Sequence, residues 1–393
     1  MNFSKLYSHF LEARLTGRYI TLDMLLPLLK EANDTVQFSI VGTSELGKDI
    51  PMFRLGTGKK VVLAWSQMHG NESTTTKAIF DFLKFCRQKV YFRSETDEFL
   101  TSYSFYIIPI LNPDGAEAYT RVNSNGVDLN RDAQALSQRE SNVLAAVFKN
   151  LNPQLCLNLH DQRSIYGFDS GLPATVSFLA PSANSEQNVT KSRAVAMKHI
   201  IAIYDCLQMY IPGQVGRYDD SFNANCVGDT FQMAGVPTIL FEAGHTQDDY
   251  QREKTREYIF YALLQLFGFT MSSGRIFNVG DYEAIPQNKV NFKDVIIRNV
   301  KIQSTDGLLP ISDQSKENLC DVAIQYEEKL HNGVIQFIPI LDGIGDYSSF
   351  FGHKEISLEG HKILINSQRI IKVGEEVITI MKESDNSLII FRT

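Results

Sequence analysis

The sequence predicts an α/β domain built on a mixed, mostly parallel sheet with helices on both faces, followed by a smaller β-rich domain. Three observations lead there. Up to about residue 270, apolar runs of strand length (61–65, 104–111, 154–160, 235–241) alternate with amphipathic segments of helix length (74–89, 137–150, 190–211, 248–267). That alternation is the mark of parallel strands joined by crossover helices. Polar residues able to do chemistry stand at the ends of the apolar runs, and open α/β sheets bind ligands beyond the carboxyl ends of their strands. From about Met271 the texture changes to short apolar stretches at 295–297, 334–338, 362–365, 377–380 and 387–391, separated by Gly, Asn and Asp turns. The expected division is residues 1–270, opening with a helical segment at 1–35, and residues 275–393.

Composition narrows the function. At 393 residues the chain has room for more than one domain. Hydrophobic residues at 44% and charged residues at 21% describe a folded globular chain. A formal net charge of -7 argues against nucleic acid or an anionic membrane as the main partner. No apolar run reaches the ~18 residues of a membrane helix, and the N-terminus lacks the pattern of a secretory signal. The five cysteines are odd in number and form no C-x-x-C. They read as reduced thiols, so the expected location is cytoplasmic.

Taken in order, residues 1–35 carry apolar side chains at helical spacing (Leu6, Phe10, Leu11, then Leu22, Leu25, Leu29), with breaks expected at Gly17 and Pro27. Strands are expected at 36–41 and 50–55. The glycine loop at 56–60 leads into a strand rather than a helix, which argues against a phosphate cradle. The run 61–65 then delivers Met68-His69-Gly70-Asn71-Glu72. An imidazole and a carboxylate three residues apart can face one ion where the chain turns. A catalytic zinc usually takes three protein ligands and a water, and His160, closing the apolar run 154–160, supplies the third. Asn112-Pro113-Asp114-Gly115 is a turn directly after the strand 104–111. The strand 235–241 delivers Glu242.

With these blocks in view the chain resembles the zinc metallocarboxypeptidases of the carboxypeptidase A family. The matching stretches are His69-Gly70-Asn71-Glu72, Asn112-Pro113-Asp114-Gly115, Gly126-Val127-Asp128-Leu129-Asn130-Arg131, His160 and Phe241-Glu242, in family order across about residues 40–265. The resemblance implies a carboxypeptidase-like hydrolase fold for residues 1–270 and one zinc per chain; residues 275–393 lie outside it and are expected, by pattern alone, to be a β-rich accessory domain. It implies His69, Glu72 and His160 as metal ligands, with Asp128 accepting the other ring N–H of His69. Glu242 would be the general base acting on a metal-activated water, and Arg121 would stabilise the oxyanion. Asn130 and Arg131 would grip the carboxylate of a peptide's free C-terminus, and Tyr218 is the candidate for the family's substrate-contacting tyrosine. Asp220 and Asp229 are expected near the pocket for the departing side chain, where they would favour a cationic residue. His245 reads as a structural histidine. Two other functions stay open: a zinc amidohydrolase or deacylase acting on a small acyl-amino acid or cell-wall peptide, and a non-catalytic peptide-binding relative.

Overall fold

The computed structural model describes residues 3–32, 34–88, 90–270, 278–301, 319–366, 372–384 and 387–391. Its contacts divide the chain into two units: Met1–Arg163 with Ala174–Asn288, and Ser164–Pro173 with Lys289–Thr393. The sequence boundary at 270–275 falls on residues 271–277, outside the described residues. The contact boundary lies later, at Asn288, and the ten residues after Arg163 leave the first unit for the second. Pattern could not reveal that excursion, because those residues interact with segments more than a hundred positions away.

The first unit is organised on an eight-stranded sheet. Its strands are β1 (Val36–Thr43), β2 (Asp49–Leu55), β3 (Lys60–Trp65), β4 (Tyr103–Ile108), β5 (Leu155–Asp161), β6 (Val176–Leu179), β7 (Val215–Arg217) and β8 (Thr238–Ala243). They lie in the order β1-β2-β4-β3-β5-β8-β6-β7. The central block β4-β3-β5-β8 is parallel throughout, while β1, β2 and β6 join antiparallel. The sheet is therefore mixed with a parallel centre, as expected. β5 and β8 are buried along their whole length, which is why they read as continuous apolar runs.

One helical layer packs Thr74–Arg87, Lys191–Leu207 and Glu253–Leu266 over a phenylalanine-rich core that includes Phe82, Phe85, Phe105, Phe260 and Phe267. A second core holds Leu63, Trp65, Cys156, Leu144 and Phe231, under the helices Arg139–Leu151 and Val227–Met233. The short strands β6 and β7 and the helices Arg93–Ser102, Pro113–Ala118 and Val227–Met233 escaped the sequence reading, being too short or too polar to show a period. The N-terminal segment differs as well. Among its described residues α-helix covers Tyr7–Phe10 and Leu22–Glu31, and Leu22–Glu31 runs through Pro27 rather than breaking there. Burial of Leu25, Leu28 and Leu29 outweighs the hydrogen bond that proline cannot donate.

The second unit is β-rich. Phe292–Val300, Cys320–His331, Val334–Gly345 and Phe351–Ser357 form a four-stranded sheet, and Ile363–Ile365, Thr379–Lys382 and Leu388–Phe391 a three-stranded antiparallel one. The strand Cys320–His331 was not anticipated: only Val322, Ala323 and Ile324 form an apolar buried run, and the polar residues on either side of them hide the strand. Residues 164–173 are woven into this unit. Gln325 donates to Ser164 Oγ at 2.9 Å, and Asn291 donates to Phe168 O at 3.1 Å. Among the described residues no helix is long and apolar enough to cross a membrane.

Candidate metal centre

The residues at the carboxyl ends of the parallel strands are brought together by local backbone geometry. After β3 the chain turns through Gln67 (φ 43°) and Met68 to His69. The Glu72 N–H then donates to His69 O at 3.1 Å, closing a turn that sets both side chains on one side. Gly70 is required here: a Cβ on it would stand 2.0 Å from the backbone of Gly115. That neighbour belongs to the Asn-Pro-Asp-Gly turn, whose Asn112 side chain caps the helix Pro113–Ala118 by accepting from Gly115 N at 2.8 Å and donates to Met68 O at 3.2 Å. Asp114 accepts from Ser44 Oγ and Leu46 N at 2.9 and 3.0 Å. The second motif is thus the frame on which the first one rests.

His69, Glu72 and His160 converge. Among the described residues they are the group of side chains able to hold a metal ion, with their ligand atoms all within 4.8 Å of one another. His69 Nδ1 lies 2.8 Å from Glu72 Oε1, His160 Nδ1 lies 2.8 Å from Glu72 Oε2, and the two Nδ1 atoms are 3.1 Å apart. All three residues are buried. A tetrahedral ion with bonds of about 2.1 Å spreads its ligand atoms to about 3.4 Å, so small rotations open this cluster to the required size. Asp128 Oδ1 stands 3.0 Å from His69 Nε2. By accepting that N–H it leaves Nδ1 of the neutral ring a lone pair aimed at a carboxylate oxygen. Lone pairs crowded together without a proton between them are what a cation relieves, and a two-histidine, one-glutamate donor set suits zinc. His160 Nε2 has no hydrogen-bond partner among the described residues.

The electrostatics favour an ionised Glu72 and a neutral His160, whereas His69 leans toward its protonated form. Burial pushes the Glu72 carboxyl up, but His69 and His160 overcome it and hold the group well below the ordinary range. Burial lowers His69, yet Glu72 and Asp128 reverse the shift and raise it. For His160 burial prevails, and the ring is held below its usual value, toward the neutral form that ligates metal. Glu242 pairs in register with His160 across β5 and β8. Burial first, then the carboxylates of Glu72 and Asp161, raise it well above a normal glutamate.

The remaining expected residues fall into three groups. Arg121 belongs to the cluster: it donates to Asp128 Oδ2 at 3.1 Å and, at 3.4 Å, to Glu72 Oε1, with its side chain 49% exposed. Asn130 and Arg131 are close by in sequence but have other contacts. Asn130 Oδ1 accepts from Val227 N at 3.0 Å, and the exposed Arg131 donates to Asn130 O at 2.7 Å and to Cys226 Sγ at 3.1 Å. Tyr218 follows edge strand β7, two strands from β8, and donates its main-chain N–H to Phe178 O at 2.9 Å. Asp220 and Asp229 are committed to the scaffold instead. Asp220 pairs at 2.9 Å with the buried guanidinium of Arg193. Asp229 accepts from the main-chain N–H groups of Ser182 and Asn223, and burial pushes its carboxyl up to about 6. The idea that these two aspartates select a cationic residue loses its basis. His245 is buried with its ring against Tyr250.

Three charged residues escaped the sequence reading. Asp161 continues the strand beyond His160, and its main-chain N–H donates to Glu72 Oε2 at 3.1 Å. Arg18 pairs with the Asp161 carboxylate at 3.1 Å. Arg252, buried, donates to Ala243 O and Gln162 O at 2.8 and 2.9 Å, and its charge opposes the upward shift of Glu242. Asp161 could have been found from its place beside His160. The two arginines carry no local signal, since only the tertiary fold brings them near.

No curated protein sequence matches the chain. Among solved structures it is similar to a metallo-carboxypeptidase from Burkholderia cenocepacia (15% identity, 64% of this chain and 70% of that one, TM-score 0.51). It is likewise similar to a metallo-carboxypeptidase from Pseudomonas aeruginosa in complex with (2-guanidinoethylmercapto)succinic acid (17%, 64% and 69%, TM-score 0.51). A third is the carboxypeptidase A of Helicoverpa armigera (16%, 68% and 79%, TM-score 0.50). At such identities these likenesses establish the fold. The zinc carboxypeptidase family model matches residues 22–162, a segment that contains His69, Glu72, Arg121, Asp128, Asn130, Arg131 and His160 and ends before Glu242. That segment, about a third of the chain, is what the zinc carboxypeptidase family model matches.

Proposed function

We propose that the first unit is a zinc-dependent exopeptidase that hydrolyses the C-terminal peptide (or amide) bond of a substrate with a free carboxylate. One observation carries this reading: His69, Glu72 and His160 converge in a buried cluster with Glu242 on the adjacent strand, in register with His160. When bound, zinc supplies a Lewis acid for the scissile carbonyl and an acidified water. His69, Glu72 and His160 hold it, and Asp128 fixes the ring of His69. Glu242 takes the proton of the attacking water and delivers it to the leaving amine. Arg121, half exposed beside Glu72, is suited to receive the developing oxyanion. Arg131, with Asn130, presents a planar guanidinium of the kind that binds a carboxylate through two oxygens. Tyr218 is retained as the tyrosine that meets the substrate carboxylate. The five cysteines are all free thiols, which fits a reducing cytoplasm.

A substrate series tests this. Peptides with a free C-terminus, the same peptides amidated there, and N-acyl-amino acids are offered to the zinc-loaded protein. The proposal expects hydrolysis of the first group, with amidation costing most of the rate. Preference for acyl-amino acids would make the protein a deacylase. No turnover of any class with zinc bound would leave a peptide-binding relative.

A further inference from the structure

We propose that Arg18 is a positioning residue of the metal centre, acting through Asp161. The inference rests on the reading of His69, Glu72 and His160 as a metal site, and it concerns what holds those ligands at their spacing.

The ligands come from two separate segments, the turn after β3 and the end of β5. Asp161 joins them. Its main-chain N–H donates to Glu72 Oε2 at 3.1 Å, and its Oδ2 accepts from Thr74 Oγ1 at 2.6 Å and from Thr74 N at 3.2 Å. The residue after ligand His160 therefore grips both ligand Glu72 and the first turn of the helix Thr74–Arg87. That helix needs the grip. Its N-cap residue, Ser73, makes no side-chain cap, because the hydroxyl donates to Arg18 O at 2.6 Å. The Asp161 carboxylate takes the cap's place at the positive end of the helix.

Arg18 completes the staple. Its guanidinium donates to Asp161 Oδ2 at 3.1 Å and to Thr74 Oγ1 at 3.2 Å, with side-chain exposures of 4% for Arg18 and 2% for Asp161. Neighbouring residues fasten it: Gly17 N donates to Glu253 Oε1 at 2.8 Å, and Gln67 donates to Ile20 O at 3.0 Å. Asp161 shares its surroundings with the carboxylates of Glu72 and Glu242. A buried carboxylate among like charges stays in place only with a cation against it. Arg252 also acts on Asp161 by charge, while Arg18 hydrogen-bonds it directly; removing the Arg18 guanidinium weakens the hold on Asp161, and the His160–Glu72 spacing slackens with it. A segment that precedes the sheet in sequence is thereby part of the frame of the site.

The test measures zinc affinity by competition with a chelator, and the visible absorption of the cobalt(II)-loaded protein, for the parent, Arg18→Met, Arg18→Lys and Asp161→Asn. Outer partners of metal ligands are worth about 10–100-fold in metal affinity. Arg18→Met is expected to weaken zinc by about that factor and to alter the cobalt bands, with Arg18→Lys recovering part of the loss. If Arg18→Met does not fold, Asp161→Asn carries the comparison and is expected to weaken zinc as well. Folded variants that bind zinc with the parent's affinity and give its cobalt spectrum would overturn the inference, whatever their melting temperatures, because they would reduce Arg18 to a support for the N-terminal segment. A parent that binds no zinc would overturn the metal-site reading and this inference with it, a result distinct from a zinc-binding parent whose variants are unchanged.

Discussion

Two buried ionic clusters in the first unit are built from similar side chains and are completed in opposite ways. Around Asp81 every acceptor meets a donor. Oδ1 accepts from Glu12 N and Arg256 Nη2 at 2.7 and 2.5 Å, and Oδ2 accepts from Tyr7 OH and Arg256 Nε, both at 2.7 Å. Arg256 extends the closure by donating to Leu15 O and Glu12 O at 2.5 and 3.0 Å. Charge and hydrogen bonds balance, and the cluster ties residues 7–15 to the helical layer. Around Glu72 the balance fails. Two imidazole nitrogens and two carboxylate oxygens crowd within about a hydrogen bond of one another, and a second carboxylate, Glu242, is held protonation-prone beside them. The first cluster is closed on itself and holds the fold together, whereas the second sets nitrogen and oxygen donors of the kind that could hold a metal ion against one another.

The sharpest way to break that contrast is to damage the closed cluster. Arg256→Met strands the Asp81 carboxylate in the core, and loss of one partner of a buried pair costs about 3–5 kcal/mol. Urea unfolding should show that loss, while the folded fraction keeps its zinc affinity. Equal loss of zinc affinity would show that the two clusters are not separate devices.

The open cluster should respond in the reverse sense. His160→Ala is expected to abolish zinc binding and to change the unfolding free energy of the metal-free protein by only about 1 kcal/mol, since it removes one of the crowded groups. Zinc at a thousandfold over its dissociation constant should stabilise the parent by about 4 kcal/mol and the variant hardly at all. A metal-free variant destabilised as strongly as Arg256→Met would make His160 a scaffold residue.

A smaller effect comes from Lys77, which lies between the clusters in sequence. Its side chain is wholly buried, donating to Glu253 Oε1 at 2.7 Å and Gln251 O at 3.0 Å. Burial brings it down from 10.5 to about 8, with Glu253 opposing. The folded protein therefore binds fewer protons than the unfolded chain between about pH 8 and pH 10.5. The cost of the buried charge is present in full below pH 8 and is relieved as pH rises through that window, by at most about 1.4 kcal/mol per pH unit. Relative to Lys77→Met, the parent should gain stability from pH 8 to 10 in urea titrations. A constant difference would mean that Glu253 keeps Lys77 charged throughout.

The contrast also marks what the sequence could disclose. His160 and Glu242 were legible because each stands at the end of a buried apolar strand, and His69 and Glu72 because they stand in the turn that follows one. Asp128 was legible through its motif alone. Arg18, Arg252 and Arg256 were not, because each finds its carboxylate or carbonyl partners in a different part of the chain. Asp220 and Asp229 show the opposite failure. Both stand where a specificity group was expected, and the fold spends them on Arg193 and on backbone N–H groups. The parallel centre of the sheet was readable from its apolar runs, whereas β6 and β7, at four and three residues, are too short to carry a period.

The central claim is that the open cluster binds a catalytic zinc served by Glu242. Metal content and peptide hydrolysis, measured side by side on the parent and on Glu242→Gln after purification without chelators, test it most directly. The account predicts one zinc per chain in both proteins, with hydrolysis in the parent and a loss of at least about a hundredfold in the variant. No zinc in the parent, or full hydrolysis by Glu242→Gln, would contradict it.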